Sequence, residues 1–213
     1  MILRPAATRG YLNAGWIESR RTFSNNSYWD LRYQGWGNLK VINDDIQQPG
    51  NMVPNHPHRN YDILGYMVAG ELEHTDSLGN TSRAVPGQVQ HMWCGREIRH
   101  TEASVGTVPA RYLQLWITPK DEYKDTDPFY EIIEKSPEFG PIAVDLKQTM
   151  TIHAGWIRRK TTLNTSRAYL YVVQGQIQGA DFTLNEGDGA ELYADFTADF
   201  NAHILLFQEQ YRF

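Results

Sequence analysis

The sequence predicts an all-β protein built as two small β-barrels in one chain of 213 residues. Three observations carry this reading. Short apolar or alternating runs dominate, strong helical periodicity is scarce, and a nine-residue segment recurs in imperfect form in the second half.

The runs are, in order, NLKVIN, YDILGYMV, ELEHTDS, GQVQHMW, RYLQLWIT, WIRRKTT, AYLYVVQ and HILLFQEQ. They are rich in β-branched and aromatic residues, which suit a pleated, half-buried surface. The turn signals SLGN, VPGQ and NEGDG separate several of them. Many short strands at this spacing point to a sandwich or barrel. The stretch from Thr118 to about Gln148 differs, being rich in charge and proline. It contains one short helical candidate near Pro128 to Lys135 and reads as a connector. The expected boundaries are therefore 1–120 for an N-terminal domain, 121–147 for the connector and 148–213 for a C-terminal domain.

The two halves resemble each other. YMVAGELEH (Tyr66–His74) and YVVQGQIQG (Tyr171–Gly179) share the Tyr, the Val and the central Gly, and differ elsewhere mainly by near-equivalents. PGQV (Pro86–Val89) follows the first copy and EGDG (Glu186–Gly189) the second. Strand, glycine turn, strand and a second turn make a repeating hairpin unit, which indicates duplication.

Composition narrows the function. Apolar residues make up 41% and charged residues 21%, an ordinary globular balance. The net charge is −5 and no Lys/Arg stripe is present, which argues against direct nucleic-acid binding. Cys94 is the single cysteine, so an internal disulfide is excluded and a reducing compartment fits. No apolar run reaches the roughly 18 residues of a membrane helix, and MILRPAATRGYL lacks the apolar core of a secretory signal. A soluble, cytoplasmic monomer or weak dimer is expected.

The chemistry concentrates in the first half. In HPHRNYD, His56 and His58 stand two apart, so on a strand they share a face. Pro57 between them has no N–H to donate and suits a sheet edge or strand entry. His100 and Glu102 repeat the spacing in CGREIRHTEAS. Facing each other from different strands, the two pairs offer three imidazoles and a carboxylate. That donor set, without thiolate, suits Fe(II) and also Mn, Ni, Cu or Zn. An HxH pair alone is a weak signal, more often a surface or turn feature than a metal site.

The surrounding residues are more specific. RGYLNAGWIESRRTFSNNSYWD, WGNLKVINDDIQQPG, HPHRNYDILGYMVAGELEHTDSLGN, VPGQVQHMWCGREIRHTE and YLQLWITP run nearly continuously from Arg9 to Pro119. Together they resemble the pirin family of bicupins, which includes bacterial quercetin 2,3-dioxygenase-like members. The second half is similar only through YVVQGQIQG, LNEGDGAEL and ILLF. The resemblance implies two cupin barrels of jelly-roll type, with His56, His58, His100 and Glu102 as metal ligands in the N-terminal one. It implies no metal in the C-terminal barrel. The positions matching His56 and His58 there are Thr161 and Leu163, and no HxE pair follows Gly175. The sequence departs from the family at Asp62, where a Glu is usual, and at Ser104, where an Asn is common. Arg96, Glu97 and Arg99 replace a glycine-rich stretch and are expected to crowd the approach to His100.

The implied activity is that of a metal-dependent dioxygenase, Fe(II) foremost with Zn, Mn, Ni, Cu or Co as other candidates. It would open a flavonol-like polyphenol such as quercetin with O₂, and Glu102 would be the general base. The alternative is a non-enzymatic, redox-sensitive regulator that binds a protein partner, as the resemblance also implies. A third reading is a cupin isomerase or hydrolase using Zn as Lewis acid. Among the other residues, His74 reads as structural and His91 as a surface histidine or a neighbour of the metal. His153 and His203 read as ordinary, Cys94 as a small buried hydrophobe. Asp62 and Glu97 are the candidate carboxylates for orienting a ligand histidine.

Overall fold

The computed structural model describes residues 1–146 and 150–209. The expected boundary between residues 147 and 148 lies outside the described residues. Among these residues the chain forms nineteen strands and two short 3-10 turns, and none of its helices is long and apolar enough to cross a membrane.

After β1 (Ile2–Arg4) come β2 (Gly10–Asn13), β3 (Ile17–Arg21), β4 (Leu39–Gln47), β5 (Met52–His58), β6 (Asp62–Ala69) and β7 (Leu72–Asp76). They continue as β8 (Thr81–Ala84), β9 (Gln88–Trp93), β10 (Ile98–Ser104), β11 (Ala110–Ile117) and β12 (Phe129–Glu134). The remainder are β13 (Gly140–Pro141), β14 (Met150–Ile157), β15 (Lys160–Leu163), β16 (Ala168–Gln178), β17 (Thr183–Asn185), β18 (Gly189–Leu192) and β19 (Phe196–Glu209).

These strands form two compact units. In the unit built on Gly10–Lys135, a seven-stranded sheet of order β12-β9-β6-β11-β4-β3-β2 accompanies a four-stranded sheet of order β5-β10-β7-β8. Met67, Leu72, Ala84, Ala110 and Tyr112 form part of its core. The other unit takes Met1–Arg9, Ser136–Ala143 and the strands of 150–209, held in one eight-stranded sheet. Its core includes Leu170, Val172, Ile177, Phe200, Ile204 and Leu206, each contributing about 1.5–3 kcal/mol by burial. β19 shows how the sequence writes this. From Phe196 to Asn201 buried and exposed residues alternate, and from Ala202 to Phe207 every residue is buried. The strand thus passes from one covered face to two. This is the expected all-β, two-barrel cupin architecture.

The duplication is visible in each unit's own pairing. β5 pairs with β10, and β15, which carries Thr161 and Leu163, pairs with β19. Gly70 and Gly175, the shared glycines of the repeat, both adopt positive φ, at 70° and 84°.

Two segments lie otherwise than the sequence suggested. Residues Phe129–Glu134, expected to be helical within a connector, form β12, which pairs antiparallel with β9 from Phe129↔Trp93 to Glu134↔Gln88. FYEIIE mixes helix-favouring glutamates with β-favouring aromatic and branched residues. The open edge of β9 supplies the backbone partners that decide the matter. Residues Ile2–Arg4, placed by sequence order in the N-terminal domain, pair with β18 and group with the C-terminal unit. A three-residue edge strand carries no signal of a partner so distant in sequence.

Candidate metal centre

The site is built on the four-stranded sheet. β5 is its edge, the place that Pro54 and Pro57 tolerate because no inner ladder needs their missing N–H groups. β10 lies between β5 and β7, with His100 opposite His56 on one side and opposite Asp76 on the other. Glu102 stands opposite His74, and a bulge between His100 and Glu102 shifts the register toward β5. Period-two alternation therefore brings His56 and His58 from β5, His100 and Glu102 from β10, and His74 and Asp76 from β7 to one face.

The three expected ligand histidines converge. His56, His58 and His100 each offer a ring nitrogen within 4.8 Å of the others. The closest approach is 3.1 Å, between the Nε2 atoms of His56 and His100. Burial and the neighbouring His56 hold His58 down to about 4. Burial, followed by His56, His58 and His74, holds His100 down to about 2. Both rings are therefore kept neutral, the form that binds a metal.

The donor chemistry fits a cation. His56 Nδ1 lies 2.8 Å from the Pro54 carbonyl, which can only accept, so Nδ1 donates there and Nε2 is the nitrogen turned toward His100. Two ring nitrogens about 2.1 Å from one ion at right angles stand about 3.0 Å apart, close to the observed separation. Among the described residues this is the group of three or more His, Cys, Asp or Glu side chains that is arranged to hold an ion.

Glu102 does not join that group. It is buried, and its Oε2 accepts a hydrogen bond from Gln114 Nε2 at 3.0 Å. Burial, reinforced by Asp45 and opposed by Gln114, pushes its carboxyl up to about 8. It lines, together with His56 and His58, a cavity of about 590 Å³ whose aromatic wall includes Trp16, Tyr61 and Trp116. Trp116 packs edge-on against His58, with ring centroids 4.8 Å apart.

Several neighbours occupy places the sequence did not indicate. His91 is fully buried and lies between Asp62 and Glu131, at 2.9 and 3.0 Å, and so is neither a surface residue nor among the clustered nitrogens. Asp62 is thereby engaged with His91, while Glu97 is exposed in the turn before β10. Arg96, Glu97 and Arg99 do not crowd His100. Arg99 alternates to the outer face and bonds Asn55, and Arg96 pairs with Asp127. The partner of His100 is His74, a residue read from sequence as structural. It is buried, and its Nδ1 is 3.2 Å from His100 Nδ1. The signal available in the sequence was the HTD triplet, His74 and Asp76 at strand spacing. Cys94 is buried beside Ile63, Met92 and Ile98. His153 and His203 lie against Phe139 and Trp156.

Fold and site together define a two-barrel cupin protein with a histidine cluster able to hold a metal in one barrel. The Pirin family profile matches residues 3–117, more than half of the chain. A quercetin 2,3-dioxygenase of Escherichia coli K12 is 30% identical over 226 aligned positions, covering 96% of each chain. A pirin-like protein of Caulobacter vibrioides is 39% identical over 117 positions, covering 55% of this chain and 50% of its own. The crystal structure of the E. coli bacterial pirin YhhW in complex with nickel(II) superposes with a TM-score of 0.90. It is 28% identical and 97% of each chain is covered. The chain belongs to the pirin family.

Proposed function

We propose that this pirin is a metal-dependent dioxygenase that opens a flavonol-like polyphenol such as quercetin with O₂. The supporting observation is the histidine cluster set in the wall of an aromatic-lined cavity, within a chain similar over nearly its whole length to a quercetin 2,3-dioxygenase. On this reading the unit built on Gly10–Lys135 carries the metal-binding cupin, and the unit of Met1–Arg9, Ser136–Ala143 and the strands of 150–209 is a cupin-like domain without ligands. His56, His58, His100 and Glu102 hold one divalent ion, Fe(II) foremost, with nickel supported by the related structure.

The bound ion supplies Lewis acidity and a template for the substrate's enolic oxygen. The chain's residues do the rest. Trp16, Tyr61 and Trp116 give the flat polyphenol an apolar slot that displaces water. Glu102, in its ionised form, takes the proton of the substrate hydroxyl, leaving the O–H electron pair on the hydroxyl oxygen. O₂ is the oxidant that then adds to the electron-rich ring. Gln114, bonded to Glu102 Oε2, keeps the carboxylate aimed into the cavity. The lone cysteine is consistent with a cytoplasmic location.

The test is O₂ uptake by protein loaded with Fe(II) or Ni(II) in the presence of quercetin. Turnover that is lost in Glu102→Ala supports the reading. Absence of turnover with every common divalent metal overturns the substrate. Unchanged metal content in His58→Ala overturns the ligand set.

A further inference from the structure

We propose that Arg21, Asn43 and Asp45 form a recognition subsite for two neighbouring hydroxyl groups of the substrate, as carried by a catechol ring. The proposal deepens the function above and rests on its reading that the cavity takes a flat polyphenol.

The subsite follows from strand register. In the seven-stranded sheet Arg21 of β3 stands opposite Asn43 of β4, and Ser19 stands opposite Asp45. Period two turns Arg21, Asn43 and Asp45 to one face. All three line the cavity that His56, His58 and Glu102 line from the four-stranded sheet. Each is only 4–6% exposed.

Polar groups so buried ordinarily have partners. On the neighbouring strand β11 they do. The Tyr112 hydroxyl donates to Gln47 Oε1 at 3.1 Å, and Gln114 Nε2 donates to Glu102 Oε2 at 3.0 Å. Arg21 Nη1 likewise donates to the Asn25 carbonyl at 3.1 Å and to Ser27 Oγ at 3.0 Å, which holds the guanidinium in place. Three atoms are left over. Arg21 Nε, Asn43 Oδ1 and Asp45 Oδ1 have no hydrogen-bond partner among the described residues.

The leftover atoms define the ligand. One donor and two acceptors ask for a group that both accepts and donates. A carboxylate or phosphate could accept from Arg21, yet it would bring no proton to Asn43 and a like charge to Asp45. A single hydroxyl accepts from Arg21 and donates once, leaving one acceptor bare. Two neighbouring hydroxyls complete the set, one proton going to Asn43 and the other to Asp45. Residues two apart on a strand are about 6.7 Å apart, and two O–H···O bonds of about 2.8 Å each can bridge such a gap. Burial foremost, opposed by Ser19, pushes the Asp45 carboxyl up to about 7, and a ligand hydroxyl supplies the donor it lacks.

The experiment compares two flavonols, quercetin with its catechol ring and the analogue lacking both hydroxyls of that ring. Binding is read from tryptophan fluorescence in metal-free protein at pH 8 under anaerobic conditions, so that neither turnover nor chelation contributes. Quercetin is expected to bind about 10-fold more tightly. Asn43→Leu and Asp45→Leu are close in size to the native residues and each remove one acceptor. Each should cut the preference to about 3-fold or less. The ratio of the two Kd values is the readout, because a folding defect weakens both ligands alike. Should one variant fail to fold, the other decides together with the wild type. Equal affinities in the wild type show that water alone satisfies the three atoms and overturn the proposal. So does a preference unchanged in both variants, or one that appears only when Ni²⁺ is present, which would assign the hydroxyls to the ion. A preference without O₂ uptake by metal-loaded protein supports the subsite and counts against the dioxygenase reading. O₂ uptake with equal affinities does the reverse, so the two failures are distinct.

Discussion

His91 Nε2 lies 2.9 Å from Asp62 Oδ1 with both side chains wholly buried, joining β9 to β6 inside the seven-stranded sheet. The other ring nitrogen meets Glu131 of β12 at 3.0 Å, where the carboxylate is half exposed. Breaking a buried pair strands a charge in a medium of low dielectric, while an exposed partner is replaced by water. His91→Leu is therefore expected to cost about 3–5 kcal/mol. Glu131→Gln should cost no more than about 1 kcal/mol. Urea unfolding of the two variants measures the difference, and equal losses would show that burial of the Asp62 side does not set the cost.

The repeated glycines make a second prediction. A Cβ on Gly70 would stand 2.5 Å from the Pro109 carbonyl oxygen, and one on Gly175 would collide with the Asn201 carbonyl oxygen. Both also hold φ in the left-handed region. Gly70→Ala and Gly175→Ala should each destabilise by more than about 2 kcal/mol, from αL strain plus a backbone shift. Gly79, with φ of 90° and open space around it, isolates the strain term. Thermal melts of the three alanine variants check this; a Gly79→Ala loss as large as the other two would remove the steric part.

These glycines also show how far the sequence could be read. Gly70 and Gly175 were legible because turn chemistry is local, and the same holds for His56 with His58 and His100 with Glu102, whose face is set by period two. What a strand meets across a sheet is not local. Nothing in HTD says that His74 faces His100, since that follows from the register Glu102↔His74, which only the folded β7–β10 pair defines. Asp62 shares the motif with His56 and His58, yet β6 turns it to His91. The burial of His91 likewise depends on β12, a strand whose own sequence is ambiguous until the edge of β9 receives it.

Cys94 yields a prediction about reactivity. It is fully buried, its Sγ lies 4.0 Å from the Met92 carbonyl, and burial pushes the thiol well above its ordinary range. The thiolate is the nucleophile, so the native protein should resist iodoacetamide at pH 8 and be alkylated fully in urea. Mass spectrometry reads both states. Rapid modification of the native protein would place Cys94 at an accessible position.

Metal removal should register in stability as well as in activity. An ion that binds the folded chain at 100 times its Kd adds about 2.7 kcal/mol. For a chain of this size that corresponds to a rise of about 5–10 °C in Tm. Adding Ni²⁺ to the wild type should produce such a rise, and EDTA should reverse it. His58→Ala removes one of the three nitrogens that converge within 4.8 Å, so its Tm should ignore both additions. Gln114→Ala leaves those nitrogens intact and only frees Glu102 Oε2, so it should keep most of the Ni²⁺-dependent rise. A Ni²⁺ response in His58→Ala equal to that of the wild type would place the ion elsewhere, and loss of the response in Gln114→Ala alone would move the centre of binding from the histidines to Glu102.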